Sequence, residues 1–255
     1  MRNNLLTTQR KQLILKKLKR DGQIVAKQVS HELGLSEDTI RRDLRELAHE
    51  GLLQRVHGGA LPASAALVNF AGREQIASSA KVAIGRAAAA MVQPGQVVIL
   101  DGGTTTRELA RHLPHDLHAT VVTHSPTIAI ELVEHTGVEV ILIGGRLFKH
   151  SVVAVGAAAI ESIRQIRADT FFMGVTGIHP DAGLSTGDFE EAHVKRALSA
   201  AAADTIVLVS AEKLNAASPY LIAPITEASG IIVERGVPDD ATTAYEKLGI
   251  TITRA

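Results

Sequence analysis

Between Ser36 and Leu47 the chain sets Glu37, Thr39, Arg41, Arg42 and Arg45 against the apolar Ile40, Leu44 and Leu47. At helical spacing the apolar residues share a buried face and the others turn outward. Guanidinium forks match phosphate oxygens and guanine edges, while Thr and Glu suit base edges, so this face has the chemistry of polyanion recognition. A solvated charged face is the plainer alternative. Ser36 is a natural N-cap for the helix and belongs to the same surface. Arg55 and His57, beside Gly58-Gly59, add a second donor-bearing segment about a dozen residues on.

A second group of residues suits a small anion. Asp101-Gly102-Gly103-Thr104-Thr105-Thr106 lies between an apolar strand and a helix. Glycines let the backbone approach an anion, threonines add donors, and a helix start contributes N–H groups and its dipole. A capped turn would have much the same composition. Thr123-His124-Ser125 and Gly144-Gly145-Arg146 end two further strands. Glu191 and Lys195 lie four apart on one helix face, either as a solvent-exposed ion pair or as a carboxylate for hydroxyls and an ammonium for phosphate. Lys213, just past another strand, is a surface charge or an anion contact.

The surrounding pattern supplies elements for both groups. Leu13, Ile14, Leu15 and Leu18 define a first helix stopped at Asp21-Gly22. Val25, Val29 and Leu33 pattern a second, Gly34 gives the turn, and Gly51 stops the third before a strand at Leu52–Val56 that runs into His57-Gly58-Gly59. That order is a winged helix-turn-helix. The small, Pro-containing stretch from Leu61 to Ala66 reads as a linker. Beyond it a helix over about Ser79 to Met91 leads to strands at Val97–Leu100, Val121-Val122, Val138–Ile143, Phe171–Met173, Ile206–Val209 and Ile231–Val233, alternating with helical stretches. The expected fold is α/β: residues 1–62 a small DNA-binding domain, 63–78 a linker, and 79–255 a larger domain with a mainly parallel sheet.

Composition is consistent with this division. The chain of 255 residues is neutral overall, yet residues 1–62 hold twelve Lys and Arg against seven Asp and Glu, about +5, leaving about −5 on the remainder. A basic module on an acidic body confines a nucleic-acid contact to the N-terminal domain. The absence of cysteine excludes disulfides, thiolate chemistry and Cys-based zinc sites. No apolar run reaches transmembrane length, and Met1-Arg2-Asn3-Asn4 opens no signal-peptide core, so a cytoplasmic protein with no membrane partner is expected.

The segment from about Arg10 to Pro62 resembles the N-terminal domain of the DeoR family of bacterial transcription regulators, through Thr39-Ile40-Arg41-Arg42-Asp43-Leu44 and His57-Gly58-Gly59-Ala60. Residues from about Arg73 to Arg254 resemble that family's sensor domain, itself similar to ribose-5-phosphate isomerase and CoA-transferase folds. The matching residues are Gly103-Thr104-Thr105, Thr123 with Ser125, Gly144-Gly145, Glu191-Ala192-His193-Val194-Lys195-Arg196, and Lys213. The resemblance implies a repressor of sugar or polyol catabolic genes that binds double-stranded operator DNA and a phosphorylated sugar or related metabolite. Two departures stand out: His124 where Asn is usual, and Ser210-Ala211-Glu212-Lys213 in place of Asp-x-Ser-Lys. Glu212 near the ligand would weaken affinity for a doubly charged phosphate.

One recognition helix reads few base pairs, so a homo-oligomer binding repeated half-sites is expected. The competing reading is a sugar-phosphate isomerase or deaminase carrying a DNA-binding domain. Against it, no metal-spaced histidine cluster and no Gly-x-Gly-x-x-Gly after a strand occurs, and no cofactor is implied. Asp101 and His124 could form a general acid–base pair only if the fold brings them together.

Overall fold

The computed structural model describes residues 6–255; Met1 to Asn4, read above as lacking a leader, lie outside them. The N-terminal unit is built from α1 (Thr7–Asp21), β1 (Ile24–Val25), α2 (Ala26–Leu33), α3 (Glu37–His49), β2 (Leu53–Val56) and β3 (Gly59–Pro62). Gly22 and Gly34 end the first two helices in the left-handed conformation, at φ 73° and 65°. The Ser36 hydroxyl accepts from the Thr39 amide at 3.2 Å and caps α3. Ile14, Leu18, Val29, Ile40, Leu44, Leu47 and Leu53 form one core. β3 lies between β1 and β2, and its hairpin with β2 is the wing.

The chain then runs through a 3₁₀ turn at Ala65–Leu67, α4 (Phe70–Glu74) and α5 (Ser78–Ala89). The expected linker is therefore an ordered, docked segment. The Ser64 hydroxyl donates to the Thr176 carbonyl, and the Phe70 amide donates to the His150 carbonyl at 2.9 Å. Ser64, Ala66, Phe70 and Arg73 are buried.

The larger unit continues with β4 (Val97–Leu100), α6 (Thr104–Arg111), β5 (Ala119–Thr123), α7 (Pro126–Glu131) and β6 (Val138–Leu142). A hairpin of β7 (Arg146–Phe148) and β8 (Val153–Val155) precedes α8 (Ala157–Ile163) and β9 (Ala168–Gly174). Then come β10 (Gly177–His179), β11 (Gly183–Thr186), α9 (Phe189–Ala200), β12 (Ala202–Val209), β13 (Tyr220–Ala223), β14 (Gly230–Val233), α10 (Asp239–Lys247) and β15 (Thr251–Arg254). Seven strands make a wholly parallel sheet in the order β15-β14-β12-β9-β4-β5-β6. The sheet is covered on both faces, which is why its strands read as continuous apolar runs. Ile99, Phe171, Met173 and Val207 point to the face holding Leu198 and Tyr245. Val98, Leu100, Phe172 and Leu208 point to the face holding Ile84, Leu109 and Ile128.

The chain builds outward from β4 through β5 to β6, then crosses to β9 on the other side of β4. The carboxyl ends of β4 and β9 therefore form the topological switch point, where open α/β sheets place ligands. Leu100 pairs with Phe172 of β9 and with Thr123 of β5, so Asp101, His124 and Gly174 emerge at one edge. β10, β11 and β13 form a small antiparallel sheet beside it.

Candidate functional site

The outward face of α3 carries Arg41, Arg42 and Arg45, all exposed. Arg41 is tied to Glu37 at 2.8 Å, one turn earlier. Arg42, Arg45 and Arg55 make no ion pair among the described residues and remain available to phosphates. Arg55 and His57 are exposed on the wing, where Gly58, at φ 77°, turns the hairpin. On the inward side Asp43 is wholly buried and receives Arg10 of α1 through both guanidinium nitrogens of one edge, one of them at 2.9 Å. This pair fixes the angle at which α3 is presented.

A second site forms at the switch point. Asp101 is fully buried and its carboxylate accepts from four groups. They are the Gly102 amide at 2.8 Å, the Gly174 amide at 2.8 Å, His124 Nε2 at 2.8 Å, and Lys195 Nζ. Burial pushes this carboxyl up, but Lys195 and His124 outweigh it and hold it at about 2. Burial opposes the Lys195 charge too, yet Asp101 and Glu191 raise its pKa above the usual value. Glu191 lies 3.4 Å from Lys195 and accepts from Ser151 at 3.3 Å and Thr186 at 3.1 Å. The solvent-exposed reading of the Glu191–Lys195 pair is thereby excluded, since Lys195 is only 2% exposed.

Above this ion network opens a cleft lined by Arg73, Gly102 to Thr106, Gly174 to Thr176, Thr186, Glu191, Lys195 and Lys213. Gly103 begins α6 at φ 134° with no side-chain cap, so the helix start is left open toward the cleft. Thr105 Oγ1, Thr106 Oγ1 and Arg73 Nε are buried without a partner among the described residues. Buried donors left unpaired are costly, and a ligand rich in acceptors would satisfy them. Lys213 is 6% exposed. Burial lowers its pKa to about 8, partly offset by Glu212, with Lys81, Arg73 and Lys195 adding like-charge repulsion. Lys81 stands behind, donating to the Arg73 carbonyl. Arg73, Lys81 and Lys213 make no ion pair among the described residues, so the cleft carries uncompensated positive charge.

A model of the DeoR-like helix-turn-helix domain matches residues 10–65, and one of the DeoR C-terminal sensor domain matches residues 76–235. The chain belongs to the DeoR family. This DeoR-family chain is 36% identical to the transcriptional regulator GlpR of Haloferax volcanii, over 91% of each chain. It is 34% identical to the transcriptional repressor GlcR of Bacillus subtilis, over 89% of this chain and 88% of that one. It is 32% identical to the glycerol-3-phosphate regulon repressor of Escherichia coli, over 75% and 76%. The full-length sorbitol operon regulator SorC from Klebsiella pneumoniae aligns at a TM-score of 0.42 and 15% identity, over 93% of this chain and 98% of that one. A ribose 5-phosphate isomerase from Methanocaldococcus jannaschii aligns at 0.40 and 15%, over 53% and 54%. Both likenesses are too remote to carry an argument. The family membership makes the chain a DNA-binding transcription regulator whose helix-turn-helix is the unit described above.

In this DeoR-family sensor domain Gly102, Gly103, Thr104, Thr105, Glu191, Lys195 and Lys213 come together on the cleft. Asp101 and His124 lie beneath it. Thr123 Oγ1 donates to the Leu100 carbonyl at 2.7 Å, and Ser125 Oγ to the Val152 carbonyl at 3.1 Å, so both brace strand ends from behind. Gly144 and Gly145 are exposed and do not line the cleft. Glu212 does not line it either; Ser210 Oγ donates to its carboxylate at 2.6 Å. Arg73, Thr176 and Thr186 line the cleft without having been singled out in sequence, and Thr106 closes the run already noted. Arg73 sits in a segment read as linker, and no local pattern marks it as buried.

Proposed function

We propose that this regulator is a repressor of genes for sugar or polyol catabolism, and that a phosphorylated sugar or related metabolite bound in the cleft controls its grip on operator DNA. The observation that carries this reading is the convergence of an uncapped helix start, three unpartnered buried donors and the cations Arg73 and Lys213 on one enclosure. A phosphate group satisfies all of them: its oxygens accept from the amides and hydroxyls, and its charge offsets the two cations. Glu191 faces the same space and suits sugar hydroxyls. The names of the relatives GlcR and the glycerol-3-phosphate regulon repressor support a carbon-source regulon.

We assign DNA contact to Ser36, Glu37, Thr39, Arg41, Arg42, Arg45, Arg55 and His57, and take the working form to be a homo-oligomer. The cleft senses its ligand and does not transform it. Asp101 and His124 do meet, but four donors occupy the carboxylate, and His124 Nδ1 faces the Ala154 carbonyl at 2.9 Å while Nε2 faces Asp101. Neither is left to exchange a proton with a bound sugar. The test is thermal denaturation of the whole protein with sulfate, inorganic phosphate and a panel of sugar phosphates, read beside an assay for turnover. A ligand that binds only the folded state raises Tm. No rise with any phosphate, or conversion of a sugar phosphate, would contradict the reading.

A further inference from the structure

The phosphate cleft does not end at its own wall. Arg73, Thr176 and Glu191 also line an adjoining compartment, completed by Leu67, Phe148, His150, Ser151 and Gly187. Its chemistry differs from that of the first. The Phe148 and His150 rings stack with centroids 5.7 Å apart, and Leu67 adds an apolar surface. Glu191 and Arg73 line the same compartment and add a carboxylate and a guanidinium. Apolar surface for C–H faces, with a carboxylate acceptor and a guanidinium donor for hydroxyls, suits the carbon skeleton of a sugar and not a second phosphate.

Leu67 belongs to neither the sheet nor its covering helices. It lies in the 3₁₀ turn that follows β3, the central strand of the wing domain's small sheet. Its side chain lies against Gly187, where a Cβ would stand 2.8 Å from Leu67 Cδ2. The same segment is stitched to the cleft on both sides. The Ala217 amide, four residues past Lys213, donates to the Pro62 carbonyl at 3.2 Å. The Thr176 carbonyl, in the wall shared by both compartments, accepts from Ser64.

Resting on the phosphate reading above, we propose that the effector is a phosphorylated pentose, hexose or polyol of similar length that fills both compartments, with the interdomain residue Leu67 forming part of its binding wall. The phosphate occupies the start of α6, and the far carbons lie beneath Leu67. Ligand length is thereby read by the segment that leads into the DNA-binding domain.

Calorimetric titration of the full-length protein with inorganic phosphate, glycerol 3-phosphate, ribose 5-phosphate, glucose 6-phosphate and sorbitol 6-phosphate tests this. In the wild type at least one of the longer phosphates should bind about tenfold or more tighter than glycerol 3-phosphate. Leu67→Trp, which fills the second compartment, should cost that ligand about tenfold while changing inorganic phosphate affinity by less than about twofold. Gly187→Ala, a milder change that presses on Leu67, should give the same split in smaller measure, and it decides the matter if Leu67→Trp does not fold. Equal affinity for the short and long phosphates, or a long ligand indifferent to both substitutions, would overturn the proposal. Failure of every phosphate, inorganic included, to bind the wild type would instead overturn the phosphate reading and this proposal with it.

Discussion

In the proposed sensing chemistry Lys213 has the central place. Burial holds its ammonium at about 8, below the usual 10.5. A phosphate monoester carries its second charge above about pH 6. Affinity for the effector should therefore be greatest between about pH 6 and 8 and fall as pH rises through about 8, where Lys213 loses its proton. The same depression has the opposite sign for stability. Below about 8 the group is protonated folded and unfolded, and the cost of burying its charge is fully present. Between about 8 and 10.5 the unfolded chain binds the extra proton, so this contribution rises with pH. Calorimetry across pH checks the first effect, and the pH dependence of Tm in wild type against Lys213→Met the second. A ligand affinity unchanged from pH 7 to 9 would remove Lys213 from the anion site. Asp101 plays the complementary part. Asp101→Asn leaves Lys195 buried without its main partner and should cost about 3–5 kcal/mol, read in denaturant unfolding. A loss below about 1 kcal/mol would show that the buried network is not what holds the switch point together.

Among the elements, α3 was readable almost residue by residue in the sequence, while the segment 63–77 was not. The cap at Ser36, the stripe of Ile40, Leu44 and Leu47 and the stop at Gly51 are local signals that act within a turn or two. The parallel strands were legible for a similar reason, since burial on both faces writes an uninterrupted apolar run. By contrast, β7, β8, β10, β11 and β13 are three or four residues long and depend on partners far along the chain. Helix α4 and the buried Arg73 depend on packing against the distant His150 and Thr176. The loop at Asp101 and the helix carrying Lys195 were recognised as polar, but their union in one ion network was not, because 94 positions separate the two residues. For α3 itself, Arg42→Ala or Arg45→Ala should lower operator affinity. The loss should be about 1–3 kcal/mol for a base contact, or a salt slope flatter by about one unit for a phosphate contact. Mobility shift over a salt series distinguishes these, and operator binding indifferent to both changes would displace α3 as the reading helix. Asp43→Ala acts through orientation instead. Leaving Arg10 unpaired in the core should destabilise the N-terminal unit by about 3–5 kcal/mol, seen by hydrogen exchange confined to residues 7–62.

For the whole molecule, the question is how a ligand in one unit is felt in the other, and where the copies of the proposed homo-oligomer would meet. At the β6 edge of the large sheet, Ile141 and Leu142 are exposed, and the neighbouring Ile130 and Val133 on and just beyond α7 are 70% and 72% exposed. An unpaired strand edge beside an apolar patch is where a second copy is expected to pack. Val133→Asp with Ile130→Lys should shift the sedimenting species to smaller mass and weaken binding to a two-half-site operator more than to a single half-site. An unchanged mass would contradict an interface on this face. Within one copy, the route from cleft to wing is short: Lys213 leads to Ala217, which holds Pro62, and Thr176 holds Ser64. A ligand alters operator affinity only if it binds two arrangements of this segment unequally. The most direct test is the ratio of operator affinities with and without a saturating phosphorylated sugar, measured by fluorescence anisotropy in wild type and in Lys213→Met. The ratio should depart from unity by about fivefold or more in the wild type and return to unity in the variant. A wild-type ratio of one with ligand demonstrably bound, or an undiminished ratio in Lys213→Met, would contradict the claim that an anion in this cleft governs the hold on DNA.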